Sequence, residues 1–252
     1  MTVLFLGSDA SSGNPPYGAD SVRLIKVDFD AQKITVVSFP RDMIVQTAAL
    51  NNASYPQAPL GISFKYASQA ASGTALEKNA AAAGIVAQIL ADDFGAASDH
   101  YITVEMSQLS AMIDTLGGVD ITIPETITTE RGVTFTAGAQ TLNGALATEY
   151  VRAIQPGGDA ARTLRQNEFL KALQAKVISA GTLTKIPALL TQFKDAVATD
   201  LSPEQLVNIA CLADKVGKDS VTFATVDQPQ LMSSTTANVD AIRSFLIQTL
   251  GE

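Results

Sequence analysis

Apolar residues along this chain fall into short β-branched runs separated by longer stretches with helical spacing. Val3–Leu6, Val22–Phe29, Ile34–Phe39, Tyr101–Val104 and the shorter Ile121–Ile123 predict strands. Asp30-Ala31-Gln32-Lys33 is a short polar break, so the second and third runs should form an antiparallel hairpin. Thr74–Phe94 predicts an alanine-rich helix opened by a Thr N-cap. Ser107–Leu116 carries Leu109, Met112, Ile113 and Leu116 at helical spacing and should stop at Gly117-Gly118. A third helix is expected from about Ala160 to Ala180, capped by Asp159 after the breaker Pro156-Gly157-Gly158. Another should cover Ile186–Ala198, and Ser202-Pro203-Glu204 opens one more with Pro at its first position. Strand Val221–Val226 and a helix at Val239–Leu250 close the pattern, while Asn51–Ser72 lacks clear periodicity and predicts a loop shaping access to a site. Alternating strands and helices point to one α/β domain over residues 1–252 with a layered core.

Composition narrows the chemistry. The 252 residues are 46% hydrophobic and 17% charged, an ordinary globular balance that excludes a disordered or collagen-like chain. A net charge of −8 argues against nucleic acid held on a general basic surface. The single cysteine, Cys211, excludes an internal disulfide framework and a cysteine-based zinc site, and the lone His100 excludes a multi-histidine metal centre. Cys211 is expected to pack as a small apolar side chain, and His100 to lie at a strand boundary. No apolar run reaches the roughly 18 residues of a membrane span; the nearest, Ala80–Leu90, is interrupted by Gln88. Met1 leads straight into a strand, with neither a basic leader nor a cleavage site, so the chain reads as a piece of a longer one.

The arginines are few, seven in all, and four of them fall beside breakers or strand ends. Arg41, in Phe39-Pro40-Arg41-Asp42, follows a strand that Pro40 stops, and should project at a sheet edge or end. Arg162, Gln166, Leu170, Leu173 and Val177 share one helical stripe, with Arg165 on the adjacent row above Phe169 and Leu173. That stripe turns a guanidinium and an amide inward at a helix start, which suits either an internal salt bridge or a bound carboxylate or phosphate. Asp9 follows the first strand and Asp20 precedes the second. Two carboxylates at strand ends are either turn residues or ligands for Mg²⁺ shared with phosphate oxygens.

Leu6-Gly7-Ser8-Asp9, Ala19-Asp20-Ser21, Ser38-Phe39-Pro40-Arg41-Asp42, Leu116-Gly117-Gly118-Val119, Leu142-Asn143-Gly144, Tyr150-Val151-Arg152 and Asp159-Ala160-Ala161-Arg162-Thr163-Leu164-Arg165-Gln166 occur in that order. The series resembles the LytR-CpsA-Psr family of bacterial cell-envelope proteins, from Leu4 to about Asp227. The resemblance implies a three-layer α/β/α sandwich around a mixed central β-sheet, with an apolar tunnel for a polyprenyl chain. It implies a phosphotransferase on the outer face of the cytoplasmic membrane of a Gram-positive-type bacterium, anchored by an N-terminal transmembrane helix. Its partners would be a polyprenyl-pyrophosphate-linked glycan, of teichoic acid or capsular polysaccharide type, and a peptidoglycan acceptor joined through a phosphodiester. Carried over residue by residue, Asp9 and Asp20 match Mg²⁺-associated acids. Arg41, Arg152, Arg162 and Gln166 match pyrophosphate-binding groups, with Arg41 and Arg162 acting on the leaving phosphate. Arg165 matches a further motif arginine and is counted with the pyrophosphate-binding groups, and Asp42 or Asp159 could help deprotonate the acceptor hydroxyl, Asp159 being equally well explained as a helix cap.

The chain departs from the family at three places. Ser11, Gly18 and Ile154 occupy positions where members commonly carry arginine. Arg23, on the strand after Asp20, is the available replacement if it points toward the site rather than to solvent. A capture protein that binds a polyprenyl-linked glycan without transferring it is the alternative these losses leave open.

Overall fold

The computed structural model describes residues 1–8, 18–51, 55–154, 156–178, 192, 197–216 and 221–251. They form two compact units, one built from Met1–Glu105, Lys194–Ser202 and Ser220–Glu252, the other from Met106–Phe193 and Pro203–Asp219.

The first unit holds a six-stranded mixed sheet. Its strands are β1 (Thr2–Ser8), β2 (Ala19–Asp28), β3 (Lys33–Phe39), β6 (His100–Glu105), β11 (Val197–Thr199) and β12 (Val221–Thr225), in the order β11-β6-β1-β2-β3-β12. β1, β2 and β3 run antiparallel to their neighbours in this trio, as the turn at Asp30–Lys33 requires, while β6 and β12 join β1 and β3 in parallel. A short pair, β4 (Ile44–Gln46) with β5 (Gln57–Pro59), lies beside it.

Side chains alternate across the sheet. One face carries Leu4, Leu6, Val22, Leu24, Val37 and Phe39, all buried in one cluster with residues of α1 (Leu60–Ala70), α2 (Ala75–Phe94) and α7 (Val239–Leu250). Helix α2 presents Ala82, Ala83, Val86, Ile89 and Leu90 to that cluster. It begins with a complete capping box, in which the Thr74 hydroxyl accepts from the Glu77 amide and the Glu77 carboxylate accepts from the Thr74 amide, and ends at Gly95 in the left-handed region.

The second unit contains α3 (Met106–Thr115), the ribbon of β7 (Val119–Ile123) with β10 (Gly138–Leu142), the small ribbon of β8 (Ile127–Thr128) with β9 (Thr134–Phe135), α4 (Gly144–Arg152), α5 (Gly158–Ile178) and α6 (Pro203–Val216). Ile113, Val119, Ile121, Ile123, Phe135, Leu142, Tyr150 and Phe169 form its core. Pro203 is the first residue of α6, where its missing N–H leaves no intrahelical bond unmade.

Four sequence expectations are corrected. Asn51–Ser72 is not a loop: it holds β5 and the 11-residue α1, whose Leu60, Phe64 and Ala67 are buried in the sheet cluster. The apolar spacing of four and three is helical, but Gly61, Ser63 and Ser68 lie buried beside those residues and dilute it. Ala198 belongs to strand β11 and not to a helix; most of 186–196 lies outside the described residues. Asp159 is the second residue of α5, inside the helix rather than at its cap. Cys211 is exposed, because the buried side of α6 is carried by Leu212.

Candidate functional site

In the first unit, two of the expected site residues, Asp20 and Arg41, meet at the end of the sheet where β2 begins and β3 ends. The Arg41 guanidinium donates through Nη1 to the Asp20 carboxylate, and its Nε lies 3.6 Å from Asp42. Both members of the Arg41–Asp20 pair remain partly exposed, at 26% and 19%, so the pair is reachable from solvent. Its position is set by the segment that the sequence disguised. The first amides of α1 donate to the loop after β3, Leu60 to the Met43 carbonyl and Gly61 to the Arg41 carbonyl, both at 2.8 Å. Helix-start donors that lack intrahelical partners thus hold the backbone that carries Arg41. The approach is tight. A Cβ on Gly61 would lie 2.5 Å from the Ala19 carbonyl oxygen, and one on Gly18, whose φ is +131°, would lie 2.6 Å from the Gly61 oxygen.

Gly18 is one of the three positions where the resemblance leads one to expect an arginine, and this packing leaves no room for a side chain there. Arg23, the potential replacement, does not face solvent. It is 1% exposed on the sheet face opposite α1 and α2, donating to Ser21 Oγ at 2.9 Å and Ser38 Oγ at 2.8 Å. Loss of hydration there pulls its guanidinium down to about 10. Phe5, Ile25, Ile102 and Phe223, half-buried, share that face by strand register.

Asp9 and Ser11 lie outside the described residues. Ser8, the last described residue before them, pairs with Ala19 at the end of the sheet where Asp20 stands. Ser8 is fully buried, and its Oγ makes no hydrogen bond among the described residues. Sequence reading passed over this serine; the signal was its place between Gly7 and Asp9. Among the described residues no three acidic, histidine or cysteine side chains gather as a metal cluster. Carboxylate and hydroxyl oxygens are nonetheless the hard donors that Mg²⁺ takes, and Asp20 with an unsatisfied Ser8 oxygen at the same sheet end fits such an ion.

In the second unit, Arg162 and Arg165 are buried, at 2% and 7% exposure, and Arg152 ends α4. Gln166 Nε2 donates to the Val151 carbonyl at 3.0 Å. Arg165 sends Nη1 to the Pro156 carbonyl at 3.1 Å and Nη2 to the Ala153 carbonyl at 2.5 Å. Burial lowers the Arg165 guanidinium, an effect opposed by Tyr150, Glu130 and Glu168. Ile154, where members carry arginine, donates its amide to Glu130 at 3.2 Å. No side-chain geometry is described for Asp159. In the first unit, His100 starts β6 with Nδ1 3.4 Å from Asp200, at a strand boundary.

The chain matches the LytR_cpsA_psr family over residues 1–249. It belongs to the LytR-CpsA-Psr family. Among curated relatives, the cell wall biosynthesis protein LcpA of Corynebacterium glutamicum is 29% identical over 257 residues, covering 92% of this chain and 49% of LcpA. The polyisoprenyl-teichoic acid–peptidoglycan teichoic acid transferase TagU of Enterococcus faecalis is 30% identical over 114 residues, covering 44% of this chain and 37% of TagU. This LytR-CpsA-Psr chain therefore spans about half the length of LcpA and less of TagU. Its mixed α/β fold, with a central mixed sheet and helices, is shared with the crystal structure of B. subtilis TagV, at TM-score 0.76 and 19% identity, covering 100% of this chain and 97% of TagV. Among the described residues, no helix is long and apolar enough to cross a membrane.

Proposed function

We propose that this chain is the phosphotransferase domain of a cell-envelope protein that moves a polyprenyl-pyrophosphate-linked glycopolymer onto peptidoglycan. The acceptor hydroxyl attacks the sugar-side phosphorus, a new P–O bond forms, the P–O–P bridge breaks, and polyprenyl phosphate leaves while the hydroxyl proton passes to a base. The observation that carries the reading is the partly exposed Arg41–Asp20 pair, held by α1 at a sheet end in a chain of this family. Arg41 would neutralise charge growing on the leaving phosphate, as preorganised donors do. The family resemblance assigns pyrophosphate-binding roles to Arg152, Arg162 and Gln166 as well, and Arg23, buried against Ser21 and Ser38, is the arginine this chain offers where close packing excludes one at Gly18.

Asp9 and Asp20, with the Ser8 oxygen, would hold Mg²⁺, which when bound screens pyrophosphate charge. Asp42, half-exposed beside Arg41, and Asp159 are the two acids available to take the proton. The half-buried apolar residues around Arg23 suit a prenyl chain meeting its phosphate, and there we place the lipid tunnel. TagU's name supports a glycopolymer of teichoic acid type and LcpA's name supports the cell wall as the place of action, while the outer face of the cytoplasmic membrane follows from the family resemblance.

A second reading is favoured by one observation: position 18 has no space for arginine, so the pyrophosphate contacts differ from the family pattern. On that reading the chain captures the lipid-linked glycan without transferring it. Incubation with a lipid-linked pyrophosphate glycan, Mg²⁺ and a peptidoglycan acceptor, beside Arg162→Ala, separates the two. Acceptor-dependent release of polyprenyl phosphate, lost in the variant, is the expected result. Tight binding without release supports capture, and absence of both refutes the site.

A further inference from the structure

We propose that Arg165, a conspicuous motif arginine, binds no ligand and is the positioning residue of the second unit's cationic group. It clamps the turn after α4 onto α5 and so fixes Arg152 relative to Arg162; the effect on ligand rests on the function proposed above.

Helix α4 ends at Arg152, and the carbonyls around its end have no helical partners of their own. Three of them are taken by two consecutive side chains of α5: Val151 by Gln166, Ala153 and Pro156 by Arg165. The turn then passes through Gly157 and Gly158, both at positive φ, and enters α5. From the other side, Glu130 accepts the Ile154 amide at 3.2 Å, and the Tyr150 hydroxyl donates to Glu168 at 3.2 Å. Every link joins the last turn of α4 or its exit to a neighbour, and Arg165 supplies two of them. A planar guanidinium presents a rigid fork of separated donors to two carbonyls, whereas an ammonium carries its three donors on one atom at the end of a flexible stem. Both terminal nitrogens of Arg165 point at carbonyls of this turn, and that orients its fork toward the backbone. Arg162 lies one turn earlier on the same helix, so a clamp at Arg165 sets the distance between the arginine ending α4 and the one opening α5.

The test combines calorimetric binding of geranyl pyrophosphate with Mg²⁺ and hydrogen exchange on wild type, Arg165→Lys, Arg165→Met, Arg152→Ala and the Arg152→Ala/Arg165→Lys double variant. Arg165→Lys retains charge and length, which keeps the question open to measurement where Arg165→Met does not fold. Both Arg165 variants should lose about 10- to 100-fold in affinity, the usual effect of removing a supporting side chain. In the Arg152→Ala background the lysine substitution should cost nothing further, because it acts through Arg152. Amide exchange across Ala153–Gly158 should quicken in Arg165→Lys while β7 and β10 stay protected. Wild-type affinity in Arg165→Lys, or full additivity with Arg152→Ala, would overturn the clamp. If wild type fails to bind the probe, the proposed function falls, and exchange alone decides: unchanged protection of the turn overturns the clamp, and faster exchange there supports it.

Discussion

The same substitution, glycine to alanine, should have opposite effects in the two helices that cover the first unit's sheet. Gly61 lies in the first turn of α1, where an added Cβ would stand 2.5 Å from the Ala19 carbonyl oxygen and 3.1 Å from Arg41 Cβ. Ordinary contact begins at 3.4 Å, so the strand start and the helix must part by about 0.9 Å (3.4 minus 2.5). Neither can yield cheaply, because Ala19 is buried in β2 and Leu60 and Phe64 anchor α1 in the same cluster. Overpacking of this kind costs about 1–3 kcal/mol, against which alanine's better helix propensity returns at most about 1. Gly84, in the exposed middle of α2, has nothing within 4 Å of an added Cβ, so Gly84→Ala should stabilise by about 0.5–1 kcal/mol. Thermal unfolding followed by circular dichroism should show Gly61→Ala several degrees below wild type and Gly84→Ala slightly above it, at roughly 2–4 °C per kcal/mol. A Gly61→Ala protein melting at or above wild type would refute the close-approach argument, and with it the account of how Arg41 is held.

Two further substitutions probe separate features. Gly144 opens α4 so close to α3 that a Cβ would meet the Ser110 carbonyl oxygen at 2.0 Å, while its amide donates to Asp114 at 2.7 Å. Gly144→Ala should cost at least about 3 kcal/mol, the upper end for overpacking, read as a lowered urea midpoint and faster amide exchange in α4; unchanged exchange there would contradict the packing. Burial raises the Asp93 carboxyl, the neighbouring Asp92 adds to this, and the Gln46 amide and Arg243 oppose it. An acid raised in the folded state contributes stability below its unfolded value that is lost as pH rises through the folded one. Asp93→Asn, which keeps an acceptor for Gln46, should flatten the fall of the urea midpoint as pH rises above the ordinary carboxylate range and match or exceed wild type at neutral pH. A midpoint that still falls as pH rises would assign the dependence to another group.

Local pattern was enough to place β1, β2, β3, β6 and β12, the hairpin joining β2 to β3, helix α2 from its Thr74 cap, and α7. These elements declare themselves because period-two and helical spacing, caps and turns act over a few neighbouring residues. The ordered motifs likewise sufficed to name the family and to single out Asp20, Arg41, Arg152, Arg162 and Gln166. Long-range contacts decided the rest. Helix α1 is written in small and polar residues, and it forms where Leu60 and Phe64 meet the sheet cluster, with Gly18 and Gly61 permitting contact. Arg23 read equally well as exposed or inward until strand register set it beside Ser38 and buried it. Arg165 looked like one more cation in a motif; the turn after α4 supplied the two carbonyls it holds. Cys211 turned outward because Leu212 took the buried side of α6. A side chain's type and spacing set what chemistry it can do, but which partner it meets depends on residues distant in sequence, and only folding brings those within a few ångströms.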